Sequence, residues 1–291
     1  YHPRTRPHHV VESILMIKKI ALGLATAALA LAGCSSNASS GASESAGSDT
    51  TIVVGASPTP QKQILEFVQK NLAEKAGINI EIREYQDYVQ PNQALNDGEI
   101  DANYFQHVPY FNEDTKERGF STLTHGEGIH LEPYGVYSNK IKDLKDLPDG
   151  AVVAITNDPS NQARALELLQ DNGIIKLKDV DAPTIYDLAE NPKNITFREA
   201  DAPSVPKLLP DVDIAIVNGN FALQNGLTPS KDAIYTEKTE GNPYANVLAW
   251  NKNESEGKLA SIAKLDDLLH SSEVSQYIKE TWPDGEVIPA F

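Results

Sequence analysis

Between residues 101 and 111 the chain reads Asp-Ala-Asn-Tyr-Phe-Gln-His-Val-Pro-Tyr-Phe. Tyr104, Phe105, Tyr110 and Phe111 bring four rings together with the amides of Asn103 and Gln106 and the imidazole of His107, in a protein only 7% aromatic. Rings beside amide and imidazole groups suit a small molecule with an apolar arm and a polar head. The same residues would equally serve as the core of a buried strand running into a Pro-started helix, and the stretch alone leaves both readings open. A second constellation is Asn157-Asp-Pro-Ser-Asn161 followed by Arg164. Helix caps there open a helix whose first N–H groups, with a guanidinium one turn in, could hold an anion, and a carboxylate is the natural guest for a bidentate contact. An ordinary surface Arg fits the same spacing. Asn218 in Asn-Gly-Asn-Phe and Asn246 in Asn242-Pro-Tyr-Ala-Asn246 could hydrogen-bond both an ammonium and a carboxylate, although Asn-Gly and Asn-Pro also form turns for purely local reasons.

Other chemistries find little support. His125 and His130 flank Gly126 and Gly128, a spacing that does not place two imidazoles on one helix face, so no metal site is expected. There is no Gly-x-Ser-x-Gly, no phosphate-binding loop and no catalytic Cys, and Ser160 is accounted for as a helix cap; neither an enzyme nor a cofactor is expected. The formal charge of −16 comes without a basic patch, which argues against nucleic acid as a partner. Cys34 is the single cysteine, so there is no disulfide framework.

Residues 16–34 carry a different signal. Lys18 and Lys19 precede an uncharged apolar run from Ile20 to Ala32, too short to span a bilayer but of signal-peptide length. The run ends in Leu31-Ala32-Gly33-Cys34, which resembles the lipobox of bacterial lipoproteins, whose cysteine thiol receives a diacylglycerol and becomes the first mature residue. Residues 34–50 then comprise the lipidated Cys and a Ser/Ala/Gly-rich segment that cannot bury apolar area and is expected to be a flexible tether. Two acyl chains give a firm membrane anchor. Residues 1–15, upstream of Met16, lack periodicity and are read as an extension foreign to this plan.

The elements that must position these residues alternate between strand and helix. Thr51–Ala56 is a short β-branched run of the buried, parallel type. A helix from about Pro60 to Ala76 and a strand through Ile78, Ile80 and Ile82 complete a β-α-β unit. Further strands are expected near 100–105, 151–155, 196–199, 213–217 and 244–250, with helices near 109–118, 160–171, 205–209, 220–225 and 256–279. The class is α/β. The order predicts two lobes, 51–133 plus 246–291 and 138–240, joined by crossovers near 132–137 and 241–246, with a cleft between them where strand ends and helix N-termini meet.

In order along the chain, the lipobox, the Val-Gly-Ala start, Asp87-Tyr-Val-Gln-Pro-Asn92, Asp101-Ala-Asn-Tyr-Phe-Gln-His-Val-Pro-Tyr110, Asn157-Asp-Pro-Ser-Asn161 with Arg164, Glu190-Asn-Pro-Lys-Asn194 and Asn242-Pro-Tyr-Ala-Asn246 resemble the MetQ/NlpA family of methionine-binding lipoproteins, substrate-binding components of a methionine ABC importer. The resemblance implies a two-lobe, periplasmic-binding-protein-like fold with the ligand in a cleft between lobes. It places the pocket on Tyr88, Phe105, His107, Tyr110, Arg164, Asn218 and Asn246. Arg164 would pair with the carboxylate, Asn218 and Asn246 would fix the head group, and the rings with His107 would surround the thioether arm. Gln162-Ala163 stand where a Gly is commoner, and Phe221 where Tyr is common. Implied partners are methionine or a similar amino acid, an ABC permease with its ATPase subunits, and the membrane through the lipid anchor on its extracytoplasmic side, the protein itself being a monomer. The same fold binding another amino acid, a Met-containing peptide or an organic anion is the alternative, and a lipid-anchored adhesin the alternative of another class. Arg164→Ala is expected to abolish amino-acid binding without unfolding the protein.

Overall fold

The computed structural model describes residues 49–291. Cys34, the signal-peptide segment, residues 1–15 and all but the last residues of the expected tether lie outside the described residues. The chain opens with β1 (Thr51–Ala56), α1 (Gln61–Asn71), α2 (Ala73–Ala76), β2 (Asn79–Glu84), α3 (Gln90–Asn96), β3 (Ala102–His107), α4 (Val108–Arg118), β4 (Leu123–His125) and β5 (His130–Leu131). It continues through β6 (Gly135–Tyr137), β7 (Val152–Thr156), α5 (Pro159–Asp171), β8 (Lys176–Leu177), β9 (Leu188–Glu190), β10 (Thr196–Ala200), a 3-10 segment at Ala202–Asp211, β11 (Ile214–Val217), α6 (Gly219–Gln224), α7 (Pro229–Asp232) and β12 (Ala233–Thr236). It closes with β13 (Asn246–Asn251), α8 (Glu256–Leu269), α9 (Ser272–Thr281) and β14 (Ile288–Pro289).

Two mixed sheets result. The first has the order β14-β5-β13-β3-β1-β2, with β4 also pairing β13; the second has the order β10-β7-β11-β6-β12. β1 lies parallel between β2 and β3, and β13 returns antiparallel against β3. In the second sheet β7 lies parallel between β10 and β11, and β6 runs antiparallel to β11. The β-branched run of β1 explains its central place. Ile52, Val54 and Ala56 are fully buried against Ile64, Leu65 and Val68 of α1 and against α8 and α9, while Val53 meets Leu95, Ile100 and Phe111 on the opposite face. Ile52 and Val54, fully buried, each contribute about 1.5–3 kcal/mol. β7 is covered in the same way, by Leu166 and Leu169 of α5 on one face and by Ala202, Val205 and Phe221 on the other. No helix among the described residues is long and apolar enough to cross a membrane.

The structure departs from the sequence expectation in several places. The first helix breaks at Leu72 into α1 and α2, and Gly77, at φ 74°, ends the second in the left-handed conformation that glycine adopts without strain. Residues 135–137, expected within a crossover, already belong to the second sheet because Val136 pairs with Ile216 of β11. The first connection between sheets is therefore only residues 132–134, and the second, residues 237–245, is longer than expected. The β8–β9 hairpin, β12 and β14 were not anticipated; strands of two to four residues are too short to show a period.

Candidate functional site

The chemistry-bearing residues meet where the two connections cross. A partly open cavity is lined by Tyr88, Phe105, His107 and Tyr110 from the first lobe, by Arg164 and Asn218 from the second, and by Asn246 at the start of β13. All seven residues singled out in the sequence thus share one cavity. Gln106, Glu132, Tyr134, Asn161, Gly219 and Asn220 complete its lining and were missed.

At one end stands a wall of rings. The Tyr88, Phe105 and Tyr110 centroids lie 5.8–6.0 Å from one another, tilted or edge-on. The Tyr110 hydroxyl donates to the Tyr88 carbonyl at 2.8 Å, which fixes the pair. Phe105 reaches this wall because β3 carries one residue more than β13 at this point: Tyr104 pairs with Leu248 and Gln106 with Val247, leaving Phe105 as the extra residue of a β-bulge. Bulges re-aim side chains. In consequence Asn103 and Gln106, three apart, join one buried amide network with Asn92, whose bonds of 2.8–3.0 Å tie β3 to α3. Tyr104 and Phe111 instead pack in core clusters, and Val108 is half-buried.

His107 joins the lobes. Its Nδ1 accepts the Tyr110 N–H at 3.1 Å, capping α4, so the other nitrogen carries the proton and Nε2–H donates to Asn161 Oδ1 at 2.6 Å. Burial, reinforced by the Arg164 charge, pulls the imidazole down to about 3, so it remains neutral. Tyr88 reaches across in the same way, donating to Asn220 Oδ1 and packing on Phe221 with centroids 5.0 Å apart. The lobes are closed onto each other.

Arg164, one turn into α5, lies between the Tyr134 and Tyr244 rings at 3.8 and 4.3 Å. Its Nε donates to Glu237 Oε2 at 2.9 Å, and its Nη2 to Glu237 Oε1 at 2.6 Å and to the Glu132 carbonyl at 3.1 Å. Burial lowers the guanidinium, and the Glu237 charge and hydrogen bonds more than offset this, leaving it above its usual range. Glu237 is held down in turn: burial raises it, and Arg164 outweighs that. One edge of Arg164 therefore already carries a carboxylate, that of Glu237; Nη1 makes no protein hydrogen bond among the described residues.

The remaining amides can be oriented by elimination. A carboxylate only accepts, so the Gln61 atom facing Glu132 Oε2 at 3.1 Å is Nε2, which also donates to Asn246 Oδ1 at 3.0 Å. Asn246 is left with Nδ2 as its free group. His130 Nε2–H donates to the same Glu132 oxygen at 2.7 Å, while its Nδ1 accepts from the Tyr104 hydroxyl. His130 is thus engaged in the core, and His125 Nδ1 donates to the Gly126 carbonyl at 2.7 Å. Gly219 allows α6 to close on Glu132, since a Cβ there would stand 2.6 Å from the Glu132 Cβ.

The family described as NlpA lipoprotein matches residues 52–291. The Methionine-binding lipoprotein MetQ of Bacillus subtilis (strain 168) is 40% identical over 283 residues, covering 94% of this chain and 99% of that protein. A solved structure of a nutrient binding protein from Burkholderia cenocepacia, bound to methionine, shares 42% identity with a TM-score of 0.77, over 82% of this chain and all of that one. A periplasmic substrate-binding protein of an ABC transporter from Coxiella burnetii shares 38% identity with a TM-score of 0.76, over 82% and 100%.

Proposed function

Because this chain belongs to the NlpA lipoprotein family, we propose that it is the substrate-binding component of an ABC importer, anchored through a lipid on Cys34, that captures methionine by lobe closure. The observation that carries this reading is the division of the cavity between three rings at one end and donors from both lobes at the other. A thioether against ring edges gains about 0.3–1.5 kcal/mol per contact, and the wall of Tyr88, Phe105 and Tyr110 offers three rings. At the other end Arg164 Nη1, Asn246 Nδ2 and Asn218 suit an amino-acid head group. Only the closed form assembles both halves, so ligand and closure stabilise each other. The closed, loaded protein then delivers its ligand to a membrane permease, and ATP hydrolysis falls to other subunits. An organic anion fits less well, because Glu237 already compensates the Arg164 charge.

Calorimetric titration of unfolded and refolded, ligand-free protein with L- and D-methionine tests the proposal. One equivalent of methionine should bind, and at ~100 times its dissociation constant it should add about 2.7 kcal/mol of stability. A protein that ignores methionine while another amino acid raises its melting temperature would overturn it.

A further inference from the structure

The cavity contains one acid that the reading above leaves unused. Glu132 has a side chain 7% exposed, and its two oxygens have unequal surroundings. Oε2 takes hydrogen bonds from Gln61 Nε2 and His130 Nε2. Oε1 is buried without a partner. The nearby cation does not serve it: Arg164 reaches Glu132 only through the main-chain carbonyl and gives its charge to Glu237. A buried carboxylate oxygen left without a donor is costly, so a ligand donor at that point is stabilising.

Resting on the amino-acid reading of this site, we propose that Glu132 Oε1 is the counter-charge for the ligand's α-ammonium, and that it makes a free amino group a requirement for binding. The inventory of the cavity divides accordingly. Arg164 Nη1 and Asn246 Nδ2 can only donate and suit a carboxylate; Glu132 Oε1 can only accept. A zwitterion satisfies both sets with one molecule. Gln61 and His130 act as positioning residues: their two donors on Oε2 orient the carboxylate of Glu132, a residue of the cavity lining, and leave Oε1 for the ligand. Gly219 holds the other side, with its missing Cβ site 3.3 Å from Oε1. A ligand carrying hydroxyl or acetamido in place of ammonium brings no charge to Oε1, and the acetamido group also needs space that Gly219 and Glu132 occupy.

The test is calorimetric titration of the wild type and of Glu132→Gln with L-methionine, its α-hydroxy analogue and N-acetylmethionine. The wild type should bind methionine ~100-fold or more tighter than either analogue, the range expected when one partner of a buried charge pair is lost. In Glu132→Gln methionine should weaken by a similar factor while the hydroxy analogue changes less than about three-fold, so that discrimination collapses. Retained binding of that analogue also shows that the variant site is folded; should the variant not fold, the wild-type preference decides alone. A wild type that binds methionine and its hydroxy analogue alike, or a variant that keeps the preference, overturns the Glu132 assignment only. A wild type that binds neither overturns the methionine reading, and the assignment falls with it.

Discussion

Arg164 is the residue whose replacement the structure makes most informative. The sequence alone led to the expectation that Arg164→Ala would abolish binding and spare the fold. The geometry changes the second half. The Arg164 and Glu237 side chains are 4% and 13% exposed, joined through Nε–Oε2 at 2.9 Å and Nη2–Oε1 at 2.6 Å. Deleting the cation leaves the Glu237 carboxylate buried, with the Tyr134 N–H at 3.2 Å as a remaining donor. Breaking a buried pair from one side costs about 3–5 kcal/mol. For a folded region of this size each kcal/mol lowers Tm by about 2–4 °C, so the variant should melt roughly 6–20 °C below the wild type. Replacing both partners, as in Arg164→Ala with Glu237→Gln, removes the stranded charge and should recover at least half of that loss. Urea unfolding of ligand-free protein followed by circular dichroism measures all the terms of the cycle. The buried-pair account fails if Arg164→Ala lies within about 0.5 kcal/mol of the wild type, or if the double variant is as unstable as the two single losses added.

Gly219→Ala should lower both stability, by about 1–3 kcal/mol from overpacking, and methionine affinity, because its Cβ would meet Glu132 at 2.6 Å; calorimetry beside thermal melts reads both, and Gly226→Ala, where nothing lies within 4 Å but φ is 72°, is the control for backbone strain alone. Two groups should give stability a maximum in pH. The folded His107 sits at about 3 against its usual 6.5, so the unfolded chain takes up a proton first and stability falls as pH drops from about 6.5 towards 3. Burial, then Glu117 and Asp158, push Glu113 up to about 7, so the unfolded chain ionises first and stability falls as pH rises from its ordinary range towards 7. His107→Gln should flatten the acid limb and Glu113→Gln the neutral limb of a Tm-against-pH curve; an unchanged limb in either variant removes that residue from the account.

What could be read from the sequence follows from how local each signal is. The Thr51–Ala56 strand was legible because a continuous β-branched run fits only a strand covered on both faces. The ring cluster at residues 101–111 was legible as a cluster, but not which rings face the cleft, because alternation along β3 is broken at Phe105 by a register shift that depends on β13. Glu132 gave no local signal: an acid between Leu131 and Pro133 reads as a turn. Its significance comes from Gln61, 71 residues earlier. The same holds for Glu237, which meets Arg164 across 73 residues. Tyr244 lay inside a motif already noticed, and only its stacking on Arg164 gives it a part in the site.

The return of β13 to the first sheet also bears on the order in which this chain can fold as it is made. β3 is flanked on one side by β1, early in the chain, and on the other by β13, which begins at Asn246. The second sheet, by contrast, draws all its strands from the uninterrupted stretch Gly135–Thr236. During synthesis the middle of the polypeptide is complete before its beginning has a partner for β3. The free edge of β3 must wait for the chain from Asn246 onward. Contacts so distant in sequence form slowly. The cavity, which needs Asn246, is therefore complete only once that late strand has taken its place beside β3.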